Sequence, residues 1–405
     1  MKASKNNASR PLESVELFAG AGGLALGISD AGFHHRAMIE RDRWACDTIR
    51  YNQERGVSPV VNWPTPYQGD VRDFDYSPYE ERIDLVSGGP PCQPFSIGGK
   101  HRGYRDDRDI FPEAARAVRE IRPRAFLFEN VRGLLRPNFA EYFKYILLRL
   151  TYPELVRRAN DKWTNHLARL ERHHTAGTSR GLSYNVTFRA LNAADYGVPQ
   201  ARVRVVLVGF RADLGFEWSF PEPEHTLDSL LWDQWVTGEY WDEHSISKRR
   251  RPSIPQRFVS RVAKLKSAGE KPSAARWRTV RDVLRDLPEP TERQETKGVL
   301  NHWLNPGARA YTGHTGSPFD LPAKTLKAGV HGVPGGENML AHADGRVRYF
   351  TVREAARLQT FPDNYALEGA WSEAMRQLGN AVPVKMSQTV AVRIRELLSN
   401  EAEAA

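Results

Sequence analysis

Cysteine is nearly missing from this 405-residue chain: Cys46 and Cys92 stand far apart, without histidine or cysteine at metal-ligand spacing. That excludes a disulfide framework and leaves no zinc motif, so no metal is expected. No stretch is long and apolar enough for a membrane span, and no charged-then-apolar leader opens the chain, which is therefore read as an intracellular, soluble protein. Internal repeats and long low-complexity runs are missing too. Acidic residues are outnumbered, 49 against 58 basic ones, and the resulting charge of +9 points to a polyanionic partner. The excess is local, because between Ser245 and Asp286 thirteen Lys and Arg face three acidic residues.

What is present exceeds the usual length of one domain, so one large α/β domain and a smaller one are expected. Residues 1–12 read as a disordered polar leader. From Ser14 short apolar runs alternate with amphipathic stretches, the signature of βαβ units in a doubly wound, mostly parallel sheet. Val15-Glu16-Leu17-Phe18 is the first strand, followed by a glycine turn and a helix from about Gly22 to Asp30; Arg36 to Ile39 is a second strand, ending at Glu40. Ile83 to Ser87 and Ala125 to Phe128 are further strands, and between them Phe111, Ala114, Val118 and Ile121 mark one face of a helix. Val203 to Gly209 adds another strand. After Arg211 tryptophans, prolines and the run Lys248-Arg249-Arg250-Arg251-Pro252 replace this rhythm, which sets a smaller irregular domain at 212–340. Within it Thr279 to Pro288 reads as a short capped helix. The main domain thus occupies 13–211 and returns at 341–398, with a closing helix from Ser387 to Leu398; residues 150–182 read as an insertion, with His173-His174 in a solvated loop.

Chemistry collects at the strand ends. Cys92, in Ser87-Gly88-Gly89-Pro90-Pro91-Cys92-Gln93-Pro94-Phe95-Ser96, is held between glycines and prolines directly after a strand, a setting for a nucleophile rather than a core residue. Phe18-Ala19-Gly20-Ala21-Gly22-Gly23-Leu24 brings backbone close to a ligand at a helix N-terminus, with Glu40 placed for ribose hydroxyls. Dinucleotide enzymes and methyltransferases share such a turn. Here Gly23 follows Gly22 directly and no basic residue guards a diphosphate, so a ligand with a ribose and no phosphate, such as S-adenosylmethionine, fits better. Asp70 can accept from an adenine amino group or cap its own turn. Glu129 shares the carboxyl edge with Cys92 and, if its pKa is raised, can hold a proton for a ring nitrogen; a salt bridge to a neighbouring arginine is the plainer alternative. Gln200 to Val206 puts Arg202 and Arg204 on one face of a strand, where they are either edge charges or a pair able to bind a carbonyl oxygen and a carboxylate together.

With Phe18-Ala19-Gly20-Ala21-Gly22-Gly23, Pro90-Pro91-Cys92-Gln93, Glu129-Asn130-Val131, Gln200-Ala201-Arg202-Val203-Arg204, Arg353-Glu354-Ala355-Ala356-Arg357-Leu358-Gln359 and Gln377-Leu378-Gly379-Asn380-Ala381-Val382-Pro383, the chain resembles the cytosine-C5 DNA methyltransferase family of prokaryotic restriction-modification type. The likeness covers about 14–211 and 318–395. It implies a Rossmann-like methyltransferase sheet, with a target-recognition domain at 212–340. It also implies that Cys92 adds to C6 of a flipped-out cytosine, Glu129 contacts N3 and the exocyclic amine, Arg202 fixes O2 and Arg204 supports the site. Phe18, Gly20, Gly22, Gly23, Leu24, Glu40, Asp70, Val71, Pro90, Asn380 and Ala381 would surround S-adenosylmethionine. DNA contacts are expected from Gln93, Ser96, Lys100 and Arg102, on a mobile loop over Ser96 to Asp109, and from Lys324, Thr325, Lys327 and His331; Lys248 to Arg251 suit phosphate. The partners implied are double-stranded DNA and a separately acting restriction endonuclease, for a monomer in the bacterial cytoplasm.

Two departures stand out. Arg41 follows Glu40 where many relatives carry an aromatic, and the 150–182 insertion is longer than the compact pattern needs. Three other readings are weighed. A tRNA cytosine methyltransferase of the same fold conflicts with the long basic region at 212–340. A catalytically silent DNA-binding scaffold conflicts with the intact Cys92, Glu129, Arg202 and Arg204. A dinucleotide oxidoreductase leaves the cysteine and both arginines unexplained.

Overall fold

The computed structural model describes residues 10–91, 110–177, 181–292, 294–312, 315–329 and 338–404. The first half of the chain contains β1 (Leu12–Leu17), α1 (Gly23–Asp30), β2 (Phe33–Glu40), α2 (Arg43–Glu54), β3 (Tyr67–Gln68), β4 (Leu85–Gly88), α3 (Phe111–Ile121), β5 (Ala125–Val131), α4 (Ala140–Thr151), α5 (Trp163–Ala176), β6 (Tyr184–Asn192), β7 (Gln200–Ala201) and β8 (Val203–Arg211). Seven of these strands form one sheet in the order β3-β2-β1-β4-β5-β8-β6. From β3 to β5 every pairing is parallel, and β8 runs antiparallel to both its neighbours. The fold is α/β with a mostly parallel sheet, as the alternating pattern implies.

Both faces of the sheet are covered, which is why its central strands read as nearly continuous apolar runs. Alternate side chains point to opposite layers. Val15, Leu17, Phe126 and Phe128 pack with Ala114, Val118 and Ile121 of α3 and with Ile146 of α4. Leu85, Leu127, Val206 and Val208 pack on the other side with Leu24 and Ile28 of α1 and with Ile394 and Leu398. Each of these Val, Leu, Ile and Phe side chains withdrawn from water contributes about 1.5–3 kcal/mol.

Beyond Arg211 lie α6 (Leu227–Trp232), α7 (Glu239–Glu243), α8 (Val259–Ala268), α9 (Val280–Leu284), α10 (Val352–Leu358), α11 (Trp371–Asn380) and α12 (Val384–Ala404). Leu230, Tyr240 and Trp241 make a small core of their own, and Trp241 Nε1 donates to Gln234 O at 2.5 Å. Thr279 caps α9 in a reciprocal capping box with Asp282. Val280 and Leu284 then pack among residues of α10 and α11, so apolar contacts cross from the irregular region into the C-terminal helices.

Some boundaries differ from the pattern. β1 begins at Leu12, inside the expected leader, because Asp84 accepts from Glu13 N at 2.8 Å and pairs with Arg10 at 2.7 Å; residues 1–9 lie outside the described ones. β2 begins at Phe33 rather than Arg36, since His35 is buried as a polar residue bonded to Ser14 Oγ and Ala25 O, both at 3.0 Å. His173 and His174 lie in the last turn of α5 rather than in a loop, and His174 Nδ1 is 2.8 Å from Tyr152 OH. Gln200 to Val206 is not one strand: the ladder breaks at Arg202, whose carbonyl accepts from Ala193 N at 2.9 Å.

Candidate active site

A cavity of about 350 Å³ opens where β1, β2, β4 and β5 end. Parallel strands end together on one edge, so residues distant in sequence meet there. Its wall takes Phe18, Ala19 and Gly20 from the turn after β1, Gly23 and Leu24 from α1, and Glu40 from the end of β2. Gly89, Pro90 and Pro91 follow β4, and Glu129, Asn130 and Val131 end β5. Arg202 and Arg204 enter from the start of β8, and Arg376, Gln377 and residues 379–382 close the remaining side.

The glycine turn is built for close approach. Phe18 and Gly20 both adopt positive φ, 56° and 52°, which coils the backbone tightly enough for Gly20 N to donate to Glu40 Oε2 at 2.7 Å. Glu40 Oε1 accepts from Arg41 N and Asp42 N, each at 2.7 Å. Burial raises the pKa of Glu40, and these three backbone donors oppose the shift. The carboxylate therefore braces the turn from below while its edge faces the cavity.

Opposite lies a charged cluster. Glu129 is 8 % exposed, and burial raises its pKa against the pull of Arg204 and then Arg202. Arg204 Nε sits 2.8 Å from Glu129 Oε1, an ion pair off the hydrogen-bond axis, so that oxygen keeps an unmet acceptor. β8 must be antiparallel for this, because its first residues then fall beside the last residues of β5: Val131 pairs with Arg204 and Glu129 with Val206. Arg202 is more enclosed, 1 % exposed, with Nη1 on Leu326 O at 3.0 Å and Nη2 on Gly379 O and Ala381 O at 2.8 and 2.9 Å. Burial lowers the pKa of both arginines. Two buried guanidinium groups face one carboxylate, an imbalance that favours an electron-rich oxygen in the cavity.

The cavity thus brings together Phe18, Gly20, Gly23, Leu24, Glu40, Pro90, Glu129, Arg202, Arg204, Asn380 and Ala381. Three expected cofactor residues are not in its lining. Gly22 caps α1 at φ 80° and abuts Trp63, to which a Cβ would come within 2.9 Å. Asp70 caps its own turn through Arg72 N at 3.0 Å and pairs with Arg72 and Arg41 at 3.4 and 3.6 Å. Val71 is buried in the apolar layer under α3. Cys92, Gln93, Ser96, Lys100, Arg102 and His331 lie outside the described residues. Lys324 and Thr325 are half-buried and Lys327 exposed, on a segment whose strand Ala323–Lys324 pairs with β7.

Two contributors were not singled out from the sequence. Asn130 Nδ2 donates to Pro90 O at 3.0 Å and its Oδ1 accepts from Val131 N at 2.8 Å, so it ties the segment after β4 to the end of β5. Its place inside Glu129-Asn130-Val131 was the available signal. Arg376, which reaches Asp42 at 2.8 Å across the cavity mouth, left none, because the contact spans 334 positions. Elsewhere Glu243, His244 and Asp282 bring ligand-type atoms within 4.8 Å of one another, but Arg276 pairs with both carboxylates at 2.7 and 3.2 Å and balances their charge.

A profile described as C-5 cytosine-specific DNA methylase matches residues 12–152 and 164–396. The chain is 33 % identical over 390 residues to the type II methyltransferase M.Eco47II of Escherichia coli, covering 95 % of this chain and 79 % of the relative. It is 32 % identical over 392 residues to M.NgoMIV of Neisseria gonorrhoeae, covering 96 % and 98 %. Among solved structures, the S. pombe Dnmt2 methyltransferase superposes with a TM-score of 0.53 at 18 % identity over 96 % of this chain and 99 % of that one, a likeness of fold. With the profile spanning nearly the whole chain and the motifs gathered around one cavity, this protein belongs to the C-5 cytosine-specific DNA methylases, alongside type II methyltransferases such as M.Eco47II and M.NgoMIV.

Proposed function

We propose that the chain transfers a methyl group from S-adenosylmethionine to C5 of a cytosine turned out of duplex DNA, through transient addition of Cys92 to C6. The supporting observation is that a glycine turn braced by Glu40 and the Glu129–Arg204 pair share a single cavity. Its volume, about 350 Å³, suits one small ligand beside a flat ring. The acidic Glu40 suits the hydroxyls of a ribose and disfavours a phosphate, while backbone N–H groups at the start of α1 suit the ligand's own carboxylate. S-adenosylmethionine, when bound, supplies an electrophilic methyl.

Everything else falls to the protein. C5 of cytosine is a poor nucleophile until a thiolate adds at C6, so covalent help is needed; loss of the C5 proton later expels the sulfur and restores the ring. Negative charge develops on the ring during the addition. Glu129, with a raised pKa, can hold a proton at N3 and so stabilise that charge. Arg204 is the better partner for the ring carbonyl, because Arg202 Nη1 and Nη2 make three bonds to backbone oxygens whereas among the described residues Arg204 gives only one, from Nη1 to Val203 O. This exchanges the roles expected for the two arginines. A base stacked in a duplex cannot reach such a cavity and must be extruded, with Lys324, Thr325, Lys327 and the residues that follow Cys92 in sequence holding the DNA. In this reading the enzyme works as a monomer in the bacterial cytoplasm beside a separate endonuclease.

The test is covalent trapping. Duplex carrying 5-fluorocytosine at the target should form an adduct that survives denaturing electrophoresis when S-adenosylmethionine is present, and Cys92→Ser should form none. An adduct in the variant, or none in active wild type, would refute the mechanism.

A further inference from the structure

One buried arginine spans two separate walls of the protein. Arg202 Nη1 donates to Leu326 O at 3.0 Å, while Nη2 donates to Gly379 O and Ala381 O at 2.8 and 2.9 Å. Leu326 belongs to the segment that carries Lys324, Thr325 and Lys327; Gly379 and Ala381 flank Asn380 at the cavity wall. The same two segments also touch directly. A Cβ on Gly379 would lie 2.2 Å from Ala328 N and 2.4 Å from Lys327 C, so one backbone rests on the other with no room for a methyl group. Gln200 reinforces the junction, accepting from Leu326 N at 3.0 Å and donating to Leu358 O at 3.3 Å.

A guanidinium has several donors in a rigid fork, so it can serve carbonyls from two separate segments at once, which an ammonium group does poorly. If either segment moved alone, buried carbonyl oxygens would lose their donor. The two segments are therefore held as one body. We propose that Arg202 is a positioning residue that couples the segment 324–327 to the C-terminal end of α11 at 379–381, so that duplex DNA on the first and cofactor against the second strengthen each other's binding. The proposal rests on the functional reading above, and by linkage the effect is reciprocal.

Titration calorimetry of the full chain tests it, with S-adenosylhomocysteine as probe, alone and with a duplex of the sequence that bisulfite sequencing of DNA from an expressing host identifies. Wild type should bind the probe at least about fivefold more tightly when duplex is present. In Arg202→Lys, which keeps the charge but not the fork, that ratio should fall towards one. A residue that merely held the fold together would weaken both affinities and leave the ratio intact, and that result overturns the proposal, as does a wild-type ratio of one. Should Arg202→Lys fail to fold, Asn338→Ala gives a second route. Asn338 holds Lys327 from the far side, donating to its carbonyl at 2.8 Å and accepting from its N–H at 3.0 Å. That variant should keep its affinity for the probe alone and lose the gain from duplex; an unchanged gain overturns the proposal. Wild type that binds neither probe nor duplex would defeat the functional reading, and this inference with it.

Discussion

Glu16 offers a sharp test of how burial controls charge in this fold. It lies in β1, fully buried, and desolvation pushes its carboxyl up to about 8 against a hydrogen bond from Ser87 Oγ. Its second oxygen has no partner, and His35 on the adjacent strand is itself held neutral, pushed down to about 4 by burial. No cation is therefore paired with it among the described residues. In the unfolded chain the same group ionises near 4.5. Between these values the unfolded state releases its proton and the native state keeps it, so the native state binds more protons and stability falls as pH rises. A shift from 4.5 to about 8 corresponds to about 5 kcal/mol that is present below pH 4.5 and lost by the time pH passes 8. Glu16→Gln retains the shape and a partner for Ser87 and removes the titration. Urea unfolding followed by tryptophan fluorescence, at steps from pH 5 to 8.5, should show the variant gaining several kcal/mol on wild type as pH rises. The other buried carboxyls titrate in both proteins and cancel in the difference. Parallel stability profiles for the two proteins would refute the reasoning.

The other expectations come from packing and from charge. Gly27→Ala would place a Cβ 2.1 Å from Ser387 Oγ and 2.4 Å from Val384 O, where α1 lies against α12, so thermal unfolding should show a loss of about 1–3 kcal/mol; an unchanged melting temperature would mean that the helices part freely. Replacing Lys248, Arg249 and Arg250 together by Ala should lower the slope of log affinity against log salt by about 2.7 if all three neutralise phosphates of B-form DNA. They form one exposed turn, and an unchanged slope would remove that turn from the interface.

Local spacing made much of this protein legible from its residues alone. The face of α3 at Phe111, Ala114, Val118 and Ile121 is buried as its periodicity requires, and Thr279 caps α9 because a hydroxyl three residues before a carboxylate satisfies the first turn on its own. Glu40 and Glu129 stand at strand ends for the same reason, and parallel topology alone then carries them to one edge. Pattern could not decide what depends on distant partners. Alternation along a strand put Arg202 and Arg204 on a common side. Only folding separated them, giving one the carbonyls of Leu326 and Gly379, 124 and 177 positions away, and the other Glu129. Asp70, open on sequence alone to a ligand or to its own turn, does cap that turn, accepting from Arg72 N at 3.0 Å. The basic segment tells the same story: Arg251, Arg261, Lys271, Arg276, Arg281 and Arg285 each meet a carboxylate, whereas Lys248, Arg249 and Arg250 meet none among the described residues. Charge adds along a chain whatever its shape, but an ion pair exists only where folding brings opposite charges within a few ångströms.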